Sequence, residues 1–191
     1  MMARMASSTT ARRNATVLHM VVAMAVLFIP VILITQLFTR NPEPPVTAID
    51  WQPVAQQAAS ASEYEVLAPA SLPEGWIATR ARFIPTGQPV FGGDPAVGDT
   101  FQLGFLSPEQ RYVGLDQRDV APEQLVAAVT RNGRPDGTIE AQGRTWERMV
   151  SDDGRTRSLV STREGAVTIV SGDLPYEALA AFATTLEPVR A

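Results

Sequence analysis

Outside one apolar stretch near the start of the chain, the titratable side chains are of four types only: Asp, Glu, Tyr and Arg. There is no Cys, all 16 basic residues are Arg, and the single His, His19, lies inside the apolar stretch. These absences exclude most common mechanisms. A Ser-His-Asp triad, a Cys-His or Ser-Lys dyad and a Schiff base each lack a member. Zinc held by His or Cys is excluded, as is a P-loop, which needs its Lys. Disulfides and lipid-modified cysteine are excluded with them. No cofactor and no metal is expected.

Carboxylate chemistry remains, with the paired acids of a glycosidase as its type. The loop acids open to nomination are Asp94, Asp99, Asp152 and Asp153. Asp152-Asp153-Gly154 is what a hairpin turn needs, and it lacks the ligand spacing of a calcium loop. Glu123 and Glu177 fall in first helical turns, where the dipole favours the charged form. Glu147 lies between Trp146 and Arg148, where an ion pair would do the same. Ordinary, ionised carboxylates are therefore expected, and no catalytic residues.

The candidate binding surface is Arg80 and Arg82 on one strand face, Arg155 and Arg157 on another, and Trp76 and Trp146 in or beside the core. Period-2 spacing makes short basic stripes, suited to an anionic headgroup or an envelope polymer. The structural alternative is a solvated sheet face paired with Asp and Glu, plus two packing tryptophans.

The elements that would carry these residues read as a repeated order. Residues 76–84 make a strand after the turn Leu72-Pro73-Glu74-Gly75. Phe101, Leu103 and Phe105 alternate as in a half-buried strand, and Val113 and Leu115 share a face in the next. Residues 119–123 open a helix carrying Leu125, Val126 and Val129, which Asn132-Gly133 stops. The second half gives strands at 144–150, 155–162 and 166–170, then a helix with Leu179, Phe182, Ala183 and Leu186 on one side. The two helix openings align without a gap, Asp119 with Asp173 and Leu125 with Leu179. The expected fold is α+β: a mainly antiparallel sheet, two β-β-β-α units, and helices covering one face. Residues 83–98 form a long Pro- and Gly-rich loop.

Residues 20–34 contain no polar side chain, and the run extends over 16–38. As a helix those 23 residues span about 34 Å, against a hydrocarbon core of about 30 Å. The run is long for a signal peptide and no small-residue cleavage site follows. Arg4, Arg12 and Arg13 precede it and only Arg40 closely follows, so the positive-inside rule puts the N-terminus in the cytoplasm. His19 then sits near the headgroups. The expected organisation is a cytoplasmic tail (1–15), a transmembrane helix (16–38), a Pro-rich linker and short helix (39–62) and an extracytoplasmic domain (63–191). Residues 39–191 hold 13 Arg against 20 acids, a net of −7. A domain that acidic is a poor nucleic-acid binder.

Several motifs together resemble a known family. They are Asn41-Pro42-Glu43-Pro44-Pro45-Val46, Leu67-Ala68-Pro69, Leu72-Pro73-Glu74-Gly75-Trp76 and Tyr112-Val113-Gly114-Leu115-Asp116-Gln117. With them go Gly143-Arg144-Thr145-Trp146-Glu147-Arg148, Ser158-Leu159-Val160 and Val167-Thr168-Ile169-Val170-Ser171-Gly172. The ordered set is similar to the actinobacterial membrane-protein family called domain of unknown function 4245. The resemblance implies a membrane-anchored envelope protein and supplies no activity. The expected function is non-catalytic binding of an envelope partner: a protein, a lipid or an anionic polymer. One alternative is a lipid or small-ligand carrier with a cavity lined by Trp76, Phe101 and Trp146. The other is a carboxylate-only hydrolase.

Overall fold

The structure is a computed structural model that describes residues 9–38, 47–89 and 93–190, with side chains for 19–35, 47–89 and 93–190. The spacer at 41–45, most of the tail at 1–15 and residues 90–92 of the long loop lie outside the described residues. The chain divides into two compact units, residues 1–46 and 47–191.

In the first unit α1 runs Thr9–Phe38, with Pro30 inside it. Its described side chains are exposed for almost the whole length, Leu27 at 70% and Phe28 at 55%. Among the described residues no helix is long and apolar enough to cross a membrane. The described side chains of α1, residues 19–35, amount to about 26 Å of helix.

The second unit begins at Thr47, so it includes the short helix α2 (Gln52–Ala61). Asp50 accepts a bond from the Gln52 N–H at 3.0 Å and Pro53 sits in the first turn, where its missing N–H costs nothing. Ala55 and Ala58 are buried in the main core, which makes α2 a layer of the domain rather than part of its lead-in.

The strands follow in order: β1 (Leu67–Pro69), β2 (Ile77–Ile84), β3 (Thr100–Leu106), β4 (Tyr112–Arg118), then α3 (Pro122–Thr130). The rest is β5 (Arg134–Ala141), β6 (Arg144–Val150), β7 (Arg157–Arg163), β8 (Ala166–Gly172), α4 (Tyr176–Ala183) and β9 (Leu186–Pro188). Seven strands form one antiparallel sheet in the order β2-β3-β4-β8-β7-β6-β5, and β1 pairs with β9 in a small second sheet. Gln117 ties the two sheets. Its amide donates to the Leu67 carbonyl at 2.6 Å and accepts the Leu67 N–H at 3.0 Å, fully buried.

The α+β class and the mainly antiparallel sheet stand. Two finer expectations do not. The expected second β-β-β-α repeat has four strands before its helix, because β5 precedes β6. And the helices lie on opposite faces. Leu115 and Val170, paired across β4 and β8, point into the core that holds Leu179 and Phe182 of α4. Val167 and Ile169 point the other way, into the smaller core with Leu125 of α3.

From β4 the chain must reach β5 at the far edge, across β8, β7 and β6, and α3 lies on the face where that crossing is made. The apolar side of α4 then seals the other face. An antiparallel β4–β8 pair has its two-fold axis perpendicular to the sheet, and such an axis keeps equivalent residues on one face. Under the gap-free alignment Leu115 matches Ile169, and these face opposite sides. No rotation relates the two halves in that register.

A basic cleft beneath helix α3

Period-2 alternation on β2, β3 and β4 sends Ala81, Phe83, Phe101, Leu103, Phe105, Val113 and Leu115 into the α4-side core. The alternate residues face α3. Read across the strands, they make three rows: Arg80–Gly104–Gly114, Arg82–Gln102–Asp116 and Ile84–Thr100–Arg118. The side chains of these rows, with Tyr112 and with Leu125, Ala128 and Val129 of α3, line a cleft of about 940 Å³. A second depression of about 550 Å³ lies along residues such as Val126 and Thr130. Geometry explains both. Seven strands span about 29 Å, at about 4.8 Å per gap. The nine residues of α3 make a rod about 14 Å long. It covers only part of the sheet.

Asp116 is the central acid of the cleft and is 8% exposed. Its Oδ1 accepts from Gln102 Nε2 at 2.7 Å, and Arg80 Nη2 stands 3.9 Å away. Burial holds the carboxyl above the usual carboxylate range; Arg80, the Gln102 bond and Arg118 pull the other way without cancelling it. Asp116 is thus an exception to the expected ordinary carboxylates. Arg118 Nε donates to the Thr100 hydroxyl at 3.0 Å, and that hydroxyl donates to the Gly98 carbonyl at 3.1 Å. Arg82 is exposed and has no hydrogen bond or ion pair among the described residues. Burial pushes the Tyr112 phenol up, and the residue as a whole remains 45% exposed.

The six residues proposed from sequence do not converge. Arg80 and Arg82 share the cleft. Arg157 lies on the opposite face, where it and Arg148 stand 5.9 and 4.7 Å from the centroid of the Tyr176 ring. Arg155 precedes β7 in the turn, so it forms no stripe with Arg157. Trp146 is buried, its Nε1 donating to the Ala141 carbonyl at 3.2 Å. Trp76 is half-buried and stacks on Phe182 at 5.5 Å. Phe101 and Trp146 are buried in the main core with Trp76 packed against it, where the alternative carrier reading needed a cavity.

Two of the nominated loop acids, Asp153 and Asp99, are structural. Asp153 Oδ1 accepts from the Ser151 hydroxyl at 2.6 Å and the Arg155 N–H at 3.1 Å, which lowers its pKa. Asp99 Oδ1 accepts from the Thr86 N–H and hydroxyl, each at 2.8 Å, and ties down the long loop. Asp119 caps nothing: its Oδ1 accepts the Asp99 N–H at 3.1 Å. Among the described residues no cluster of acids or His could hold a metal.

Residues missed from sequence are Gln102, Tyr112, Asp116 and Arg118. The signal was present: once Val113 and Leu115 are assigned inward, 112, 114, 116 and 118 must face outward.

A search of curated proteins finds no match. Solved structures with some likeness include MucB in complex with MucA(peri), at 15% identity and TM-score 0.38, covering 65% of this chain and 37% of that one. Another is the MucA/MucB complex of Pseudomonas aeruginosa, at 17% identity and TM-score 0.37, covering 65% and 35%. The chain thus spans little more than a third of the length of those structures. A family model described as "Protein of unknown function (DUF4245)" matches residues 12–186, and the chain belongs to that family.

Proposed function

We propose that this is a single-pass protein of an actinobacterial cytoplasmic membrane, N-terminus inside. Its domain of residues 47–191 stands outside and binds an anionic envelope partner, without catalysis, in the cleft beneath α3. The carrying observation is the cleft itself: three arginines and one buried acid on one sheet face, within a domain whose overall charge is negative. Among the described residues Arg82 has no partner and Arg80 is only loosely paired, which leaves surplus positive charge for a ligand. The apolar run at 16–38 and the arginines before it support the membrane reading. The exclusively Arg basic complement suits a high-GC genome. Among the residues lining the cleft Asp116 is the only acid, whereas a glycosidase needs two. The cleft's Arg and Gln lining argues against a carrier for an apolar chain.

Photo-crosslinking tests the site. A photoreactive residue replacing Ala128, which lines the cleft, should capture a partner in native membranes. The same group at Glu164, a turn residue outside the cleft, should not. Equal capture from both positions overturns the cleft. A reporter fused after Ala191 that is active in the cytoplasm overturns the topology.

A further inference from the structure

At one end of the cleft the row that starts at Arg80 has no side chains on β3 and β4. Gly104 and Gly114 face each other across β3 and β4, and the ring of Tyr112 occupies the space above them. A Cβ on Gly104 would meet Tyr112 Oη at 2.5 Å and Cζ at 3.0 Å; one on Gly114 would meet Cε1 at 3.4 Å. The ring therefore lies down over two bare stretches of backbone, and any side chain there would lift it. One face rests on the sheet and the other is left to the cleft, consistent with an aromatic residue 45% exposed.

Around this platform the polar groups are graded. The Asp116 carboxylate, whose Oδ2 is 3.4 Å from the Gly114 Cβ position, already accepts from Gln102 on Oδ1, and its Oδ2 has no bond among the described residues. Arg80 is at the platform's edge and Arg82 is one step along the same strand face, with no partner among the described residues. Leu125, Ala128 and Val129 supply an apolar wall. A bare phosphate site would have no use for a flat ring. An acyl chain would leave Gln102, Asp116 and Arg82 facing hydrocarbon at a cost. A sugar ring uses all of it: C–H faces on the aromatic and the wall, hydroxyls on carboxylate and amide, an anionic substituent on a guanidinium.

We propose, building on the cleft reading above, that this site takes an anionic saccharide, with its ring on Tyr112 and its carboxylate or phosphate on Arg82. Arg80, held at 3.9 Å from Asp116, is the second cation within reach.

The test is calorimetry on the full chain in nanodiscs of neutral lipid. The probes are tetragalacturonate, a mannose 6-phosphate oligosaccharide, methyl-esterified tetragalacturonate, inorganic phosphate and AMP. At least one of the first two binds, and the ester, phosphate and AMP bind more weakly. Tyr112→Ala weakens binding by about tenfold and Tyr112→Phe leaves it unchanged. Arg82→Ala weakens it by about tenfold or more, with partial rescue by Arg82→Lys. Because Arg82 is exposed and unpartnered, its variants test the site even where a Tyr112 variant fails to fold. Failure of both saccharides, equal binding of ester, phosphate or AMP, or indifference to Arg82→Ala overturns the proposal. If crosslinks from position 128 persist in that case, the cleft remains a partner site and only the saccharide assignment falls.

Discussion

The sheet's two faces are covered by helices of almost equal length, nine residues in α3 and eight in α4, yet only one face is sealed. On the α4 side the helix has help. α2 and the β1–β9 ribbon extend the layer, and Phe101, Phe105, Trp146 and Phe182 fill it. Even the arginines there are put to structural use, over the Tyr176 ring, whose hydroxyl donates to the Met149 carbonyl at 3.1 Å. On the α3 side the helix stands alone over a core of five buried residues, and the strands beside it carry Arg, Gln, Asp and Tyr. The face that α4 shares with α2 is thus structural, and the face that α3 covers alone has room for a ligand. What decides is the alternate register of β2, β3 and β4.

If this contrast holds, substitutions on the two faces should differ sharply. The largest effect is expected from Trp146→Ala, which empties the α4-side core and should cost about 3–5 kcal/mol in chemical denaturation. A loss below about 1 kcal/mol would mean that the sealed face is not packed as described. Next is Gly172→Ala on the same face. Its Cβ would meet the Tyr112 carbonyl oxygen at 2.7 Å, a backbone atom that cannot swing away. A loss of about 1–3 kcal/mol is expected, read from the same denaturation curves.

Asp116→Asn should act in the opposite direction. The folded domain holds the Asp116 proton more tightly than the unfolded chain, whose carboxyl titrates near the ordinary 3.8. Below that pH both states are protonated and the site costs nothing. As pH climbs through the raised folded value, a carboxylate forms where burial opposes it, and stability falls. The Asn variant escapes this loss, so its melting temperature should exceed the parent's more at pH 7 than at pH 3.5. NMR titration of the parent should show one carboxyl above the rest. Equal differences at both pH values would remove the buried acid from the comparison.

The smallest effects belong to the open face. Gly104→Ala presses only on the movable end of Tyr112, so stability should stay within about 0.5 kcal/mol while near-ultraviolet dichroism of the ring changes. Arg82→Ala should likewise leave denaturation within about 0.5 kcal/mol of the parent. A large loss from either would make the cleft part of the scaffold.

The sequence carried the sealed face well and the open one poorly, for physical reasons. Alternation in Phe101-Gln102-Leu103-Gly104-Phe105 is a direct imprint of burial on one side, and the structure has those three aromatic and aliphatic residues fully buried. Turns with Gly, Asn and Asp stop and start the elements as their backbone preferences require. β5 was illegible because Arg134-Pro135-Asp136-Gly137 is an exposed edge with a register shift, and nothing in it alternates. β1 and β9 are three residues each and carry a proline apiece, too short for any period. The face taken by α3 is that of a crossover between distant strands, which no local pattern records. Arg80 and Arg82 were legible because they lie inside one strand. Arg155 and Arg157 misled because the strand begins only at Arg157. Asp116 was hidden by its neighbours Leu115 and Gln117, which point into the other core.

The β1–β9 ribbon has a consequence in time. β1 is made early, and its partner begins 117 residues after Pro69. At roughly 5–20 residues per second of synthesis, that is a wait of roughly 6–23 s. For most of it, Leu67 has only the Gln117 amide to bond with, once β4 has emerged. A domain halted before Leu186 would show a short free strand edge to any protease or chaperone that meets it. Completion of the ribbon by the last strand withdraws that edge, so a nascent chain and a finished one differ in a feature the cell's quality control can read.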